Sequence, residues 1–241
     1  MAQSYKIKKQ SAADLVCEKM KELILQKEWA VGSKIPSELE LAESFGVNRL
    51  TVRIALQRLH TLGLLDIRVG DGTYVRPFDL GGHLEELSDF YVNGKTVQDV
   101  VEFRLVMELP CVRMAVQRRT EEELEQFEAL CHRFQAELVQ HYACEDPEEA
   151  RRYFLATVDT SVELHMALCR MAHNDLITYS FSVAREPMRR HMQHNASRRI
   201  HERLDQSHTN TWVRCWMELA RGLRERNEEL ATEMLQRIID S

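Results

Sequence analysis

Arg49, Arg53 and Gln57 recur every four residues, so on a helix they share one face. A guanidinium can give two hydrogen bonds to a guanine edge, and a glutamine amide can pair in the same way with adenine. Arg49 would fall in the first turn of that helix, beside backbone N–H groups that favour a phosphate. Leu50 and Ile54 lie on the same outward side, where a thymine methyl is their natural apolar partner. Further on, Arg68 precedes Gly70-Asp71-Gly72-Thr73, a glycine-tipped turn that can bring its charge near phosphates. With Ser37 and Thr51, the candidate set is Ser37, Arg49, Leu50, Thr51, Arg53, Gln57, Arg68, Gly70, Gly72 and Thr73, and its chemistry is that of holding duplex DNA.

Such side chains act together only if short elements position them. Ser37 and Glu40 form a capping box that starts one helix, carrying Leu39, Leu41 and Ala42, and Phe45-Gly46 ends it. Asn48 caps the next. Val52, Ala55, Leu56 and Leu59 fall at i, i+3, i+4 and i+7, so they pack inward and leave Arg53 and Gln57 outside. Gly63 stops that helix. Leu65, Ile67 and Val69 alternate as a half-buried strand, Gly70 to Gly72 turns the chain, and Thr73 to Val75 returns it. Two helices and a β-hairpin in this order make a winged helix-turn-helix.

The charge of −6 over 241 residues looks wrong for a nucleic-acid binder until it is divided. Residues 1–77 hold 12 Lys/Arg against 9 Asp/Glu, while residues 78–241 hold 20 against 29. The basic part suits phosphate and the acidic part does not. With only 9 Gly and 5 Pro, the chain should be mainly α. Cys17, Cys111, Cys131, Cys144, Cys169 and Cys215 form no CxxC pair and read as reduced thiols in a cytoplasmic protein. No apolar signal core opens the chain and no stretch is long enough to span a membrane, so no membrane partner is expected.

Residues 1–10 read as a basic arm, and a first helix runs from Ser11 to about Gln26. The DNA-binding domain is expected over 1–77, a linker over 78–95 with a short helix at His83 to Tyr91, and an all-helical effector-binding and dimerisation domain over 96–241. Helices are predicted near 96–118, 120–142, 147–172, 175–194, 202–226 and 228–240, with Pro110 and Pro187 each kinking or interrupting one.

In the first domain, Pro36-Ser37-Glu38, Leu41-Ala42, Gly46-Val47-Asn48-Arg49, Thr51-Val52-Arg53, Ala55-Leu56, Gly63-Leu64 and Gly70-Asp71-Gly72-Thr73-Tyr74-Val75 resemble the GntR family of bacterial transcription regulators. The resemblance implies that Arg49 and Arg53 are the main operator contacts and that the wing tip reaches the neighbouring minor groove. Leu39, Leu50 and Ile54 depart from the arginine, threonine and glutamate usual in the family. In the second domain, Glu102-Phe103-Arg104 with Glu108, Leu164-His165 followed by Asn174, and Leu219 to Met234 resemble the FadR-type branch. That branch has an FCD effector domain, a bundle of six or seven helices that also forms the homodimer.

Many members of the branch hold a divalent metal through one Asp and three His. Here the resemblance keeps only His165, because Ser161, Trp216 and Ile238 stand at the other positions, so no metal or other cofactor is expected. A pocket with Trp216, Ile238, Met166 and Met188 around it suits a hydrophobic effector, and the acyl-CoA-sensing members are the natural comparison. Arg104, His165 and Trp216 are the candidate effector contacts, with Arg104 and His165 holding a carboxylate or thioester end. The opposing reading pairs Arg104 with a buried carboxylate and makes His165 a satisfied core histidine. His191, His194, His201 and His208 lie among arginines and read as a solvated basic surface rather than a zinc site. No nucleophile elbow, zincin motif or phosphate loop is present, so no enzyme is expected. The expected function is a ligand-responsive homodimeric DNA-binding regulator. The alternative is a constitutive DNA binder whose helical domain only dimerises.

Overall fold

A computed structural model describes residues 10–199 and 210–240. Residues 1–9 of the basic arm, and His201 and His208, lie outside them. The chain divides into two compact units, Met1–Asp79 and Leu80–Ser241.

In the first unit, α1 (Ala12–Leu25) begins at Ser11, which forms a capping box with Asp14. Bonds from Ser11, then from Arg58, hold the Asp14 carboxyl down to about 2. Helix α2 (Glu38–Phe45) starts at the Ser37–Glu40 capping box and stops at Gly46, whose φ of 64° is the left-handed turn glycine takes without strain. Helix α3 (Arg49–Thr61) starts at Asn48, whose Oδ1 accepts the Thr51 N–H at 2.8 Å. Strands β1 (Leu65–Arg68) and β2 (Gly72–Val75) pair antiparallel, Leu65 opposite Val75 and Arg68 opposite Gly72. Met20, Leu41, Val52, Leu56, Leu59, Leu65 and Val75 close a single small core. The alternating pattern overreaches by one residue, because Val69 belongs to the turn and is 101% exposed.

Among its described residues the second unit has helices as its only regular elements. Within the expected linker, the short helix expected at His83 to Tyr91 is two helices, α4 (Leu80–Glu86) and α5 (Ser88–Tyr91), the first starting three residues earlier, and α4 packs on α9. Then come α6 (Gly94–Arg118), α7 (Glu121–Ala143), α8 (Pro147–Met171), α9 (Asp175–Arg199), α10 (Thr211–Arg224) and α11 (Glu228–Asp240). Asn93, Thr120 and Asp146 cap α6, α7 and α8. Helices α6 and α9 run through Pro110 and Pro187 without interruption. Only one backbone hydrogen bond is lost at each proline, and packing on neighbouring helices offsets it. Phe127, Leu164, Leu168, Trp216, Leu219 and Leu235 form the main core.

Two arginines finish helix ends there. Buried Arg119 donates from Nε to the Leu223 carbonyl at 2.9 Å and from Nη2 to the Arg224 carbonyl at 3.2 Å. Arg226 donates from Nη1 to the Val116 carbonyl at 2.6 Å. Carbonyls at the C-terminal ends of α10 and α6 thus gain side-chain donors from the other helix end. All six cysteines are free, five of them buried. Among the described residues, no helix is long and apolar enough to cross a membrane.

Candidate nucleic-acid interface and helical cavity

Helix α3 presents the face that its spacing predicts. Val52, Ala55, Leu56 and Leu59 are buried, while Arg49, Leu50, Arg53, Ile54 and Gln57 are exposed. Leu50 is 64% and Ile54 39% exposed, an unusual outlay of apolar surface beside two arginines. Thr51 is half-buried and gives its hydroxyl to Asn48 Oδ1 at 3.0 Å, so it serves the helix start. Ser37 is exposed, and its hydroxyl is engaged by Glu40 at 2.7 Å.

Glu38 is the residue the motif reading missed. It accepts two hydrogen bonds from Arg53, Nε at 2.9 Å and Nη2 at 2.6 Å, and lies 3.7 Å from Arg49 Nη2. The bond from Arg53, set against partial burial and helped by the charges of Arg53 and Arg49, holds its carboxyl below the ordinary glutamate range. A bidentate clamp fixes the guanidinium plane, so Arg53 is oriented before any DNA arrives. The pair spans fifteen residues, and no local pattern announces it.

On the wing, the Arg68 guanidinium lies 4.3 Å from the centre of the Tyr74 ring and donates from Nε to Asp66 at 2.8 Å. Lys34, also absent from the sequence set, joins the wing through a bridge to Tyr74 and lies 3.6 Å from Asp71. Gly70 is exposed at the tip, while Gly72 and Thr73 are half-buried. The Thr73 carbonyl accepts the Ile35 N–H at 2.9 Å.

Within the helical unit lies a cavity of about 320 Å³. Arg104, Phe134, Ser161, Trp212, Trp216 and Ile238 are among its walls. Ser161, Trp216 and Ile238, the positions that would carry metal ligands in the resemblance, all face this space, so a hydroxyl and two apolar groups replace ligand atoms. Met166 and Met188, expected around it, belong instead to a separate core cluster with Phe181. His191 departs from the solvated reading: it is half-buried, lines the cavity, and its Nδ1 lies 3.2 Å from the Val97 carbonyl.

Behind the wall sits a buried triad. Arg104 is 3% exposed, and Glu108 and His165 are 0%. Arg104 donates from Nε to Glu108 Oε1 at 2.9 Å and from Nη2 to His165 Nε2 at 2.7 Å. His165 Nδ1 lies 2.5 Å from Glu108 Oε2. A guanidinium can only donate, so Nε2 accepts, Nδ1 carries the proton and His165 is neutral. Burial, and then the charge of Arg104, push the His165 pKa down. Burial alone would push the Glu108 carboxyl up, but the charge of Arg104 and the hydrogen bonds from His165 and Arg104 outweigh it and hold the carboxyl below its ordinary range. His165 is not itself among the cavity walls. It braces Arg104 and stacks edge-on to Trp216, ring centroids 4.8 Å apart.

A winged helix-turn-helix with an exposed arginine face, in a chain that continues as a helical bundle with an internal cavity, is the two-part build of DNA-binding transcription regulators. Comparison with known proteins agrees. Residues 12–75 match the model for bacterial regulatory proteins of the gntR family, and residues 99–241 match the FCD domain. The chain belongs to the GntR family. It is 37% identical over 98 residues to the HTH-type transcriptional regulator LutR of Bacillus subtilis (strain 168), a stretch covering 40% of this chain and 45% of that protein. It is 34% identical over 117 residues to the HTH-type transcriptional repressor NanR of Enterobacter sp. (strain 638), covering 47% and 45%. The chain thus spans less than half the length of these two curated relatives. The solved Streptococcus agalactiae GntR shares the fold, with a TM-score of 0.68 at 22% identity over 95% of this chain and 97% of that one.

Proposed function

We propose that the protein acts as a homodimer on a palindromic operator, with Arg49, Leu50, Arg53, Ile54 and Gln57 in the major groove and the wing at the backbone. The small molecule that sets its DNA affinity occupies the cavity of the helical unit. The observation that carries this reading is the α3 face: two arginines, one clamped in orientation by Glu38, on a helix whose opposite face is fully buried. Two-fold protein symmetry is read as half-site symmetry. An effector changes operator affinity only by as much as it prefers one of two conformations. Its site is taken to be the cavity because a packed bundle rarely leaves an unfilled apolar space without use.

The test begins with in vitro selection of the operator from random duplexes, followed by titration of wild type and Arg53→Ala. The variant should bind about fivefold to about a hundredfold more weakly and lose discrimination at one position of each half-site. Unchanged affinity and unchanged base preference would remove Arg53 from the interface. Sedimentation of the free protein checks the dimer.

A further inference from the structure

Arg104 has two of its three nitrogens committed. Nε serves Glu108 and Nη2 serves His165, and neither partner lines the cavity. Nη1 has no partner among the described residues, yet the side chain is 97% buried and forms part of the cavity wall. The guanidinium is therefore fixed on two edges and offers its third, with two N–H donors, to whatever fills the space. Around that donor the walls are apolar and aromatic: Phe134, Phe154, Trp212, Trp216 and Ile238.

Charge decides what the donor accepts. The positive charge of Arg104 is already matched by Glu108, ionised at 2.9 Å, and His165 is neutral. Asp240, also at the cavity, adds a negative charge. Apart from histidines, Arg104 is the one cationic side chain among the described lining residues. A carboxylate brought to Nη1 would be a buried anion with no net countercharge, and its lost hydration would weaken binding. A neutral carbonyl gains the same hydrogen bonds and incurs no such penalty. Protonation of His165 cannot rescue the carboxylate, because Nε2 already receives the Arg104 N–H.

We infer that the cavity selects a small, uncharged, largely apolar molecule that presents a single carbonyl oxygen (amide, ester, lactone or ketone) to Arg104 Nη1, and that Glu108 is the positioning residue which excludes carboxylates. The inference rests on the reading of the cavity as the effector site. Its volume of about 320 Å³ lies at the small end of ligand cavities and fits a compact molecule.

The experiment uses the full chain and two matched probe sets: octanamide, methyl octanoate and octanoate, and phenylacetamide, methyl phenylacetate and phenylacetate. Binding is followed at pH 8 by the fluorescence of Trp212 and Trp216, which face the cavity, and by thermal shift. In at least one set the neutral members should bind, and bind roughly a hundredfold more tightly than the acid. Glu108→Gln, which leaves Arg104 without its countercharge, should reverse the order so that the carboxylate binds best. A carboxylate that binds wild type as well as its amide overturns the inference. So does an unchanged order in Glu108→Gln, and so does failure of all six probes. The wild-type comparison stands even where Glu108→Gln does not fold. Ser161→Trp, which fills the cavity, should abolish binding. Binding that survives Ser161→Trp places the probe elsewhere and so defeats the cavity reading itself, while operator binding by the same preparations tests the DNA interface separately.

Discussion

Replacing Arg104 by methionine removes the only formal positive charge from a triad whose other members have no contact with solvent. Glu108 loses a 2.9 Å bond and keeps only the His165 N–H, and His165 Nε2 loses its 2.7 Å donor. Breaking one side of a buried ion pair costs about 3–5 kcal/mol. Because Arg104 forms a cavity wall, water can reach part of the vacated space, so the lower end, about 3 kcal/mol, is expected at pH 7. The cost should shrink at pH 5. In wild type the Glu108 carboxyl is held below its ordinary range, and its stabilisation is lost as pH falls through that lowered value. In the variant, burial without Arg104 raises it, so stability is lost as pH rises instead. The gap between the two proteins therefore widens upward in pH. Arg104→Met with Glu108→Leu and His165→Phe removes every buried polar group of the triad and should recover most of the loss. Urea unfolding in a Trp29→Phe background lets Trp212 and Trp216 alone report on the bundle. A single-variant loss below about 1 kcal/mol that does not change between pH 5 and 7 would refute the ion-pair account.

Three further outcomes can be measured. Bundle stability should decline as pH falls below 6.5, the ordinary histidine value, because His165 is buried neutral and gains its proton on unfolding; His165→Phe should flatten thermal melts in that window. Gly222→Ala should destabilise the bundle: its Cβ would sit 2.8 Å from the Ala231 backbone nitrogen, and overpacking of about 1–3 kcal/mol exceeds the roughly 1 kcal/mol gained in helix propensity, so urea midpoints should fall. With the selected operator, deoxyuridine in place of each thymine should weaken binding about fourfold per methyl group covered by Leu50 or Ile54, and Leu50→Ser should erase the effect at its position; equal affinity for both duplexes would place the two side chains away from the bases.

The recognition face was legible because it depends on local rules. Capping boxes at Ser37 and the N-cap at Asn48 are set by residues within three positions, and the inward row of α3 follows from helical period alone. The end of β1 was misjudged at Val69 because alternation says nothing about where ladder pairing stops. The short helix expected at His83 starts at Leu80 instead, because packing of α4 on α9 outweighs the poor intrinsic propensity of Gly81-Gly82. The resemblance put Arg104 and Glu108 on one helix, and the opposing reading of Arg104 as the partner of a buried carboxylate is the one the geometry supports. Closure of the triad by His165, 61 residues away, was not legible, and neither was the Glu38 clamp on Arg53. Long-range partners leave no periodic trace. The resemblance supplied Ser161, Trp216 and Ile238 as a group, and the structure puts all three on one cavity.

The exchange of arginines between helix ends also orders events in time. Arg119 reaches carbonyls 104 and 105 residues further along, and Arg226 reaches back 110 residues to Val116. The end of α6 therefore stays unfinished on a growing chain until α10 has been made, and the apolar sides of α6 to α8 must wait exposed. The winged unit needs nothing beyond Asp79 for its own core and can close early. During synthesis the nascent chain is thus a closed winged unit trailing an open bundle, and substitutions at Arg119 or Arg226 should lower soluble yield before they disturb the winged unit.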